Sequence, residues 1–387
     1  MRFLHTADWH IGKPLRGRSR MDEYAKALEQ VAAIARDQQV DAVLIAGDVF
    51  DSPAPPPEAE KLVYNFLARL VSERIQCVLI AGNHDHPRKL DAVATLLESL
   101  GIHVRHEVRP PEQGGVVTLR SKDGKEEAKV AVLPFVAERR VVDACLVMDA
   151  EHKWYEEYGK RIEQILQALV KGLPPTTVNL VLAHLLVDGA RVGTGERELH
   201  LGQVYGVNPQ QLPSSVQYVG LGHLHRPQEV LAPAKTLYPG SLVELDFGEE
   251  QQDKSVVVLE AQPRKAPHIE LVPITAGRRL RTVSASLPEL ERLANEWTEA
   301  DYLRVRVQAD GPTPGLADRV KELLPNALDV TVEHPREPAK NGGNGAPGRV
   351  KLAPSQLFAA YYEHRHQAKP PTELQQLFDQ IHEEATR

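Results

Sequence analysis

Cysteine is scarce. The 387 residues contain only Cys77 and Cys145, which form neither a CxxC nor a zinc-finger spacing. Cys77 sits in the apolar run CVLIAG and reads as a small buried hydrophobe. This usage argues against a disulfide framework and fits a reducing, cytoplasmic setting. No apolar run approaches the roughly 20 residues that span a bilayer, and the opening RFLHT is too short to be the apolar part of a secretory leader. There is no GxxxxGK(S/T), so the chain is not expected to hydrolyse ATP itself. A basic excess is also missing. The net charge is −7, which argues mildly against a generic nucleic-acid binder, because such proteins neutralise phosphates with Lys and Arg. Contact with DNA would have to rest on local charge, bound metal or a partner.

The composition is otherwise ordinary. With 42% hydrophobic and 26% charged residues, the chain is long enough for one large core and a smaller domain or two. RFLHT, DAVLIAG, CVLIAG, VNLVLAH and QYVGLGH are continuous apolar runs of the kind buried on both faces of a sheet. Helical patterns fall between the early ones, over Met21–Asp37, Pro56–Ser72 and Lys89–Leu100. Pro56 and Pro57 precede Glu58–Glu60, a helix start with acid at the positive end of its dipole. Strand-then-helix alternation predicts an α/β layered core. SVVVLEA and HIELVPI have no helix between them and predict an antiparallel extension or a second sheet.

A break follows Ile274. Residues 281–333 read strand, helix, strand, helix, strand, a compact α+β module. PREPAKNGGNGAPGR (335–349) then reads as a flexible linker. Two short helical patterns follow. Leu357, Phe358 and Tyr361 mark one apolar stripe; Leu374, Leu377, Phe378 and Ile381 mark the other at helical spacing, with Thr372 and Gln375 fitting a capping box. Two such helices bury little alone, so they dock either on the parent domain or on a partner. The boundaries expected are 1–278, 279–334, a linker over 335–352, and a helical motif over 353–387.

Five strand ends carry metal-competent side chains: TADWH (Asp8, His10), AGDVFD (Asp48, Asp51), AGNHDH (Asn83, His84, Asp85, His86), LAH (His184) and GLGHLH (His223, His225). Ligands in open α/β sheets gather at the carboxyl ends of strands, so these clusters should meet on one rim. In D-x-H and H-x-H, two side chains of an extended segment point the same way. Gly47, Gly82 and Gly222 allow a sharp turn beside them. Carboxylate, imidazole and one amide, without thiolate, point to Mn²⁺, Fe²⁺ or a related hydrolytic metal rather than structural zinc. The ligands outnumber the needs of one ion. Two ions roughly 3.5–4 Å apart account for them and suit phosphoester hydrolysis.

The order D-x-H, G-D, G-N-H-D, H, G-H-x-H resembles the calcineurin-like metallophosphoesterases. HTADWHIG, AGDVFD, AGNHD, GHLH and SLVELDFGE resemble more narrowly the SbcD family of bacterial double-strand-break nucleases. The resemblance implies a four-layer sandwich of two central β-sheets flanked by helices, a small α+β capping domain, and a C-terminal helical motif for an SbcC-type ATPase. It implies exonuclease and endonuclease action on DNA ends and hairpins, in repair, recombination and replication. It further implies two divalent ions, most readily Mn²⁺. Asp8, His10 and His225 would hold the first, Asn83, His184 and His223 the second, and Asp48 would bridge them. His84 matches the catalytic histidine, which stabilises charge or protonates the leaving oxygen; Asp85 is then expected to accept its other ring N–H. In the family the helices carrying Val63, Phe66, Leu67 and Leu70, and Leu96, Leu97 and Leu100, build a homodimer within a heterotetramer; core packing accounts for the same stripes. Asp51 is expected to have a supporting role, and His86 to be a solvated loop residue or a substrate contact.

KPLRGRSR (Lys13, Arg16, Arg18, Arg20) follows the first motif without an acidic residue. It reads either as a solvated loop or as a contact to the phosphate backbone. GARVGTGERELHLGQ (189–203) resembles the family's loop near the active site; a plain loop reads almost as well. A small-substrate phosphodiesterase or phosphatase with the same core is the alternative function. It would need neither cap nor tail.

Overall fold

The computed structural model describes residues 1–137, 158–193, 206–294, 301–309 and 315–333, and in the tail 355–356, 358–359, 362, 369–372 and 374–379. The first sheet runs in the order His268–Pro273, Ser255–Glu260, Arg2–Thr6, Ala42–Ile45, Gln76–Ile80, Ile102–Arg105. Its last four strands are parallel. The strand pair Ser255–Glu260 and His268–Pro273 joins antiparallel to the free edge of Arg2–Thr6, so the expected antiparallel element extends this sheet. The second sheet runs Gln228–Val230, Lys235–Tyr238, Tyr218–Gly222, Val178–His184, Glu127–Leu133, Val116–Arg120.

Between the sheets lies a dry layer that includes Phe3, Leu44, Val78 and Ile80 from the first and Val130, Leu180, Leu182 and Tyr218 from the second. The helices Met21–Asp37, Pro57–Ser72 and Pro87–Glu98 cover the outer face of the first sheet. Tyr158–Val170 covers the outer face of the second. This is the four-layer sandwich.

The outer layers follow from pattern. Met21–Asp37 buries Tyr24, Ala27, Leu28, Val31, Ala32 and Ala35, one helical face, with Asp22 and Glu23 in its first turn and Arg36 in its last. Pro57–Ser72 starts behind Pro56 as expected and buries Val63, Phe66, Leu67 and Leu70, so core packing absorbs that stripe. Leu96 and Leu100 are instead exposed, at 67% and 48%. The strands Val116–Arg120 and Glu127–Leu133 and the helix Tyr158–Val170 have no counterpart in the expected elements.

The described residues between 279 and 333 include three parallel strands, Arg279–Ser286, Asp301–Gln308 and Ala327–Glu333, with the helices Leu287–Leu293 and Leu316–Leu323. Their core includes Val283, Leu290, Leu303, Val305 and Val320. The chain separates into two compact units, Met1–His334 and Pro335–Arg387, and the expected boundary at 278/279 falls inside the first.

In the second unit the rings of Phe358 and Phe378 stack at 4.4 Å. Gln375 Nε2 donates to the carbonyl and hydroxyl oxygens of Ser355. Gln375 is thereby taken from the expected capping box with Thr372; the Pro371 carbonyl accepts the first helical N–H groups instead. Leu374 is half-buried and Leu377 exposed, whereas Leu357, Tyr361 and Ile381 lie outside the described residues, as does Cys145. No described helix is long and apolar enough to cross a membrane.

Candidate metal centre

Parallel strands deliver their ends to the same side, and here two sheets share a rim. Thr6, Ile45 and Ile80 end strands of the first sheet just before Asp8, Asp48 and Asn83. In the second sheet His184 is itself the last residue of Val178–His184, and Gly222 ends Tyr218–Gly222 just before His223 and His225. The loops are tied directly to one another. The Asp8 N–H donates to the Gly47 carbonyl, the His10 N–H to the Asp48 carbonyl, and the His223 N–H to the Asp8 carboxylate at 2.8 Å.

Asp8, His10, Asp48 and His223 all have left-handed backbone, with φ of 52°, 47°, 51° and 108°. Non-glycine residues adopt this conformation at a cost that surrounding structure must offset. The glycines serve close approach as well as turning. A Cβ on Gly82 would lie 2.1 Å from Asp48 Oδ1, and one on Gly222 would lie 1.9 Å from the Ala46 carbonyl oxygen.

The side chains converge in two groups around Asp48. On one side His10 Nε2 is 3.5 Å from Asp48 Oδ2 and 3.2 Å from His225 Nε2. On the other, His184 Nε2 is 3.6 Å from Asp48 Oδ2 and 2.9 Å from Asn83 Oδ1, while His223 Nδ1 is 3.0 Å from the same Asn83 oxygen. Ligand atoms of Asp8, Asp48 and His184 lie within 4.8 Å of one another, as do those of His10, Asp48 and His84. Asp8, His10, Asp48, His184 and His225 are buried.

The proton positions test whether cations fit. His184 Nδ1 donates to the Ala46 carbonyl at 2.7 Å, because a carbonyl can only accept. Its Nε2 is then a lone pair aimed at the Asn83 oxygen. His225 Nδ1 donates to Glu249 Oε1 at 2.8 Å, so with a neutral ring its Nε2 lone pair faces His10 Nε2 at 3.2 Å. The lone pairs of His184 and His225 thus both point inward, one on each side of Asp48, where a cation can take them. The donor set therefore fits divalent ions on both sides of Asp48.

The electrostatics agree. Burial pushes the His10 imidazole down to about 4, despite Asp51 and Asp48 beside it. Burial also lowers His184. Both rings keep a lone pair for a cation at neutral pH. Burial opposes the charge on Asp48, but His184, His10 and His84 outweigh it and hold the carboxyl at about 2.

Asp85 is placed differently from expectation. Its carboxylate accepts from the backbone N–H groups of Gly82, Phe50 and Val49 at 2.9, 3.1 and 3.3 Å. It therefore staples the two similar loops and does not meet the His84 ring. Burial and the nearby Asp48 charge push it up to about 7 against those amides. His84 Nδ1 donates instead to the Asp51 carbonyl oxygen at 2.8 Å. The Asp51 carboxylate lies 3.4 Å from both His10 Nδ1 and Lys13 Nζ. His86 is the N-cap residue of the helix Pro87–Glu98.

Two participants were not anticipated. Phe135, at the end of Glu127–Leu133, lays its ring nearly parallel to His223 at 6.4 Å and edge-on to His184 at 6.1 Å. No signal marked it, because the strand before it was not among the expected elements and an aromatic ring is not a ligand type. Glu249 lies in the SLVELDFGE segment, where nothing local marks it as the partner of His225.

The basic loop is largely committed elsewhere. Arg20 is buried at 2% exposure and pairs with Glu23 at 2.7 Å, so it is not available to DNA. Arg18 lies over the Tyr302 ring and Arg16 is 3.4 Å from Asp329. Arg16 and Arg18 remain exposed and Lys13 is half-buried. Of the 189–203 loop, residues 194–203 lie outside the described residues.

Residues 1–227 match the calcineurin-like phosphoesterase family, and residues 276–366 match the SbcD C-terminal family, described as "Type 5 capsule protein repressor C-terminal domain". The chain is 34% identical to the D subunit of the nuclease SbcCD from Bacillus subtilis over 72% of this chain and 71% of that one. It is also 34% identical to the Rhodobacter capsulatus protein of the same name, over 94% of each. Among solved structures, TT1561 of Thermus thermophilus superposes with a TM-score of 0.39 at 14% identity, covering 71% of this chain and 99% of that one.

Proposed function

The chain belongs to the calcineurin-like phosphoesterases and, within them, to the SbcD nuclease subunits, and from that premise we propose a two-metal DNA nuclease that cleaves ends and hairpins. It is a metal-dependent nuclease that works in complex with an SbcC-type ATPase. The finer reading is that Asp8, His10 and His225 would hold one ion and Asn83, His184 and His223 the other, with Asp48 shared. The observation that supports it is the pair of inward-facing Nε2 lone pairs, on His225 and His184, on either side of Asp48. Bound there, divalent ions, Mn²⁺ in this reading, would supply Lewis-acid charge and a lowered pKa for water.

The protein's own residues do the rest. Asp8 and Asp48 are the carboxylates among the proposed ligands, so two divalent ions keep a positive surplus that a phosphodiester can meet. The amide of Asn83 preserves it where an aspartate would reduce it. His84 has its Nδ1–H fixed by the Asp51 carbonyl. Its Nε2 is left to face a phosphate oxygen, to which the protonated ring would donate. Asp85 supports this indirectly, by stapling the loop that carries Asp51 to the loop that carries His84.

Lys13, Arg16 and Arg18 form a small positive edge beside the motif and are proposed to meet the DNA backbone. Partner docking is assigned to the tail around Phe358, Leu374, Leu377 and Phe378, and a homodimer within a heterotetramer completes the proposed assembly.

Incubation with Mn²⁺ and a DNA hairpin, with and without the ATPase partner, tests the reading. Hairpin cleavage is expected. Rapid turnover of a mononucleotide phosphodiester without DNA cleavage would instead establish the small-substrate alternative.

A further inference from the structure

We propose that Glu249 is a positioning residue for His225, and that the capping module in turn holds Glu249, so that seating of the cap and binding of an ion at His225 are linked. This rests on the reading of His225 as an ion ligand.

The grip on His225 is built from one buried ion pair. Glu249 is 2% exposed and Lys254 is 4% exposed. Glu249 Oε1 accepts from His225 Nδ1 at 2.8 Å. Its Oε2 accepts from Lys254 Nζ at 2.6 Å and from the Leu245 N–H at 3.1 Å. Lys254 Nζ also donates to the His225 carbonyl oxygen at 3.0 Å and to Ser241 Oγ at 2.9 Å. Ring and backbone of His225 are thus held by the same pair. A carboxylate only accepts, so the proton stays on Nδ1 and Nε2 keeps the lone pair that an ion needs.

The segment that carries Glu249 is held from the other side by the cap. Glu244 Oε2 accepts the Leu280 N–H at 2.6 Å. Glu250 accepts the N–H of Thr282 at 3.1 Å, and its other oxygen accepts the Thr282 hydroxyl. The Arg304 guanidinium lies 4.5 Å from the centre of the Phe247 ring. Phe247 and Glu249 share a single turn of 3-10 helix, started by Asp246 accepting the Gly248 N–H. Displacement of that turn therefore moves the acceptor that faces His225. Hydrogen bonds to a ligand's far nitrogen typically change metal affinity about 10–100-fold.

Calorimetric titration of Mn²⁺ into the metal-free full-length protein, without DNA, tests the link. Wild type is expected to bind two ions. Glu249→Gln should weaken one of them about 10–100-fold and leave the other unchanged. The Nδ1–H proton resonance of His225 should shift at the same time. Arg304→Ala touches no proposed ligand and should weaken the same ion, by less, with an unchanged circular dichroism spectrum. If Glu249→Gln does not fold, Arg304→Ala and Thr282→Val decide.

Folded variants that bind both ions as wild type does would overturn the proposal. So would equal weakening of both ions together with a lowered melting temperature, which is what a purely structural role produces. A wild type that binds no ion, or a His225→Ala variant that still binds both, would refute the ligand assignment itself.

Discussion

At the scale of single residues, the site is marked by backbone strain as much as by side-chain type. Four proposed ligands sit at positive φ, each at a cost of about 1–3 kcal/mol. The interlocked amides of Asp8 and His10 on Gly47 and Asp48 help maintain them. His84 differs in kind. Its backbone N–H donates to Asp48 Oδ1 at 2.8 Å and its ring Nδ1 donates to the Asp51 carbonyl, which leaves Nε2 as its working pole. His84→Ala is expected to reduce DNA cleavage by about 10²–10⁴-fold while Mn²⁺ titrations stay unchanged. Loss of an ion in that variant would make His84 a ligand, as its distance to His10 and Asp48 permits.

At the scale of elements, the loop after the first motif joins two modules. Leu15 packs with Phe247, Leu280 and Tyr302. The guanidinium groups of Arg18, Arg20 and Arg278 surround the Tyr302 ring. Glu23, which pairs with Arg20, also accepts the Arg278 N–H at 2.8 Å. Arg20→Ala strands the buried Glu23 carboxylate and should destabilise the protein by about 3–5 kcal/mol, read as a lower urea midpoint. Selective loss of DNA binding at unchanged stability would return Arg20 to the DNA-contacting set.

At the scale of the whole molecule, cap and sandwich fall within one compact unit, and the tail forms a second. The second unit has contacts of its own, in the stack of Phe358 on Phe378 and the bonds from Gln375 to Ser355. Removing residues 353–387 is therefore expected to leave Mn²⁺-dependent cleavage of short DNA intact. The same truncation should abolish co-purification with the SbcC-type ATPase. Retained association would move the partner surface onto the first unit.

The helix Met21–Asp37, the buried runs Arg2–Thr6 and Val178–His184, and the strand-end clusters were legible in the chain, because periodicity and ligand type are local properties. The runs of the second sheet's outer half were not, since short alternating strands such as Val116–Arg120 carry little signal until they pair. Within the site, sequence alone determined which side chains could hold cations and where along the strands they stand. Only the tertiary structure decided the proton positions and the supporting contacts. It turned Asp85 to the backbone, gave His84 the Asp51 carbonyl, buried Arg20 under the cap and brought Glu249 to His225. Those outcomes depend on which distant donors and acceptors share a buried space, and burial is a property of the packed whole.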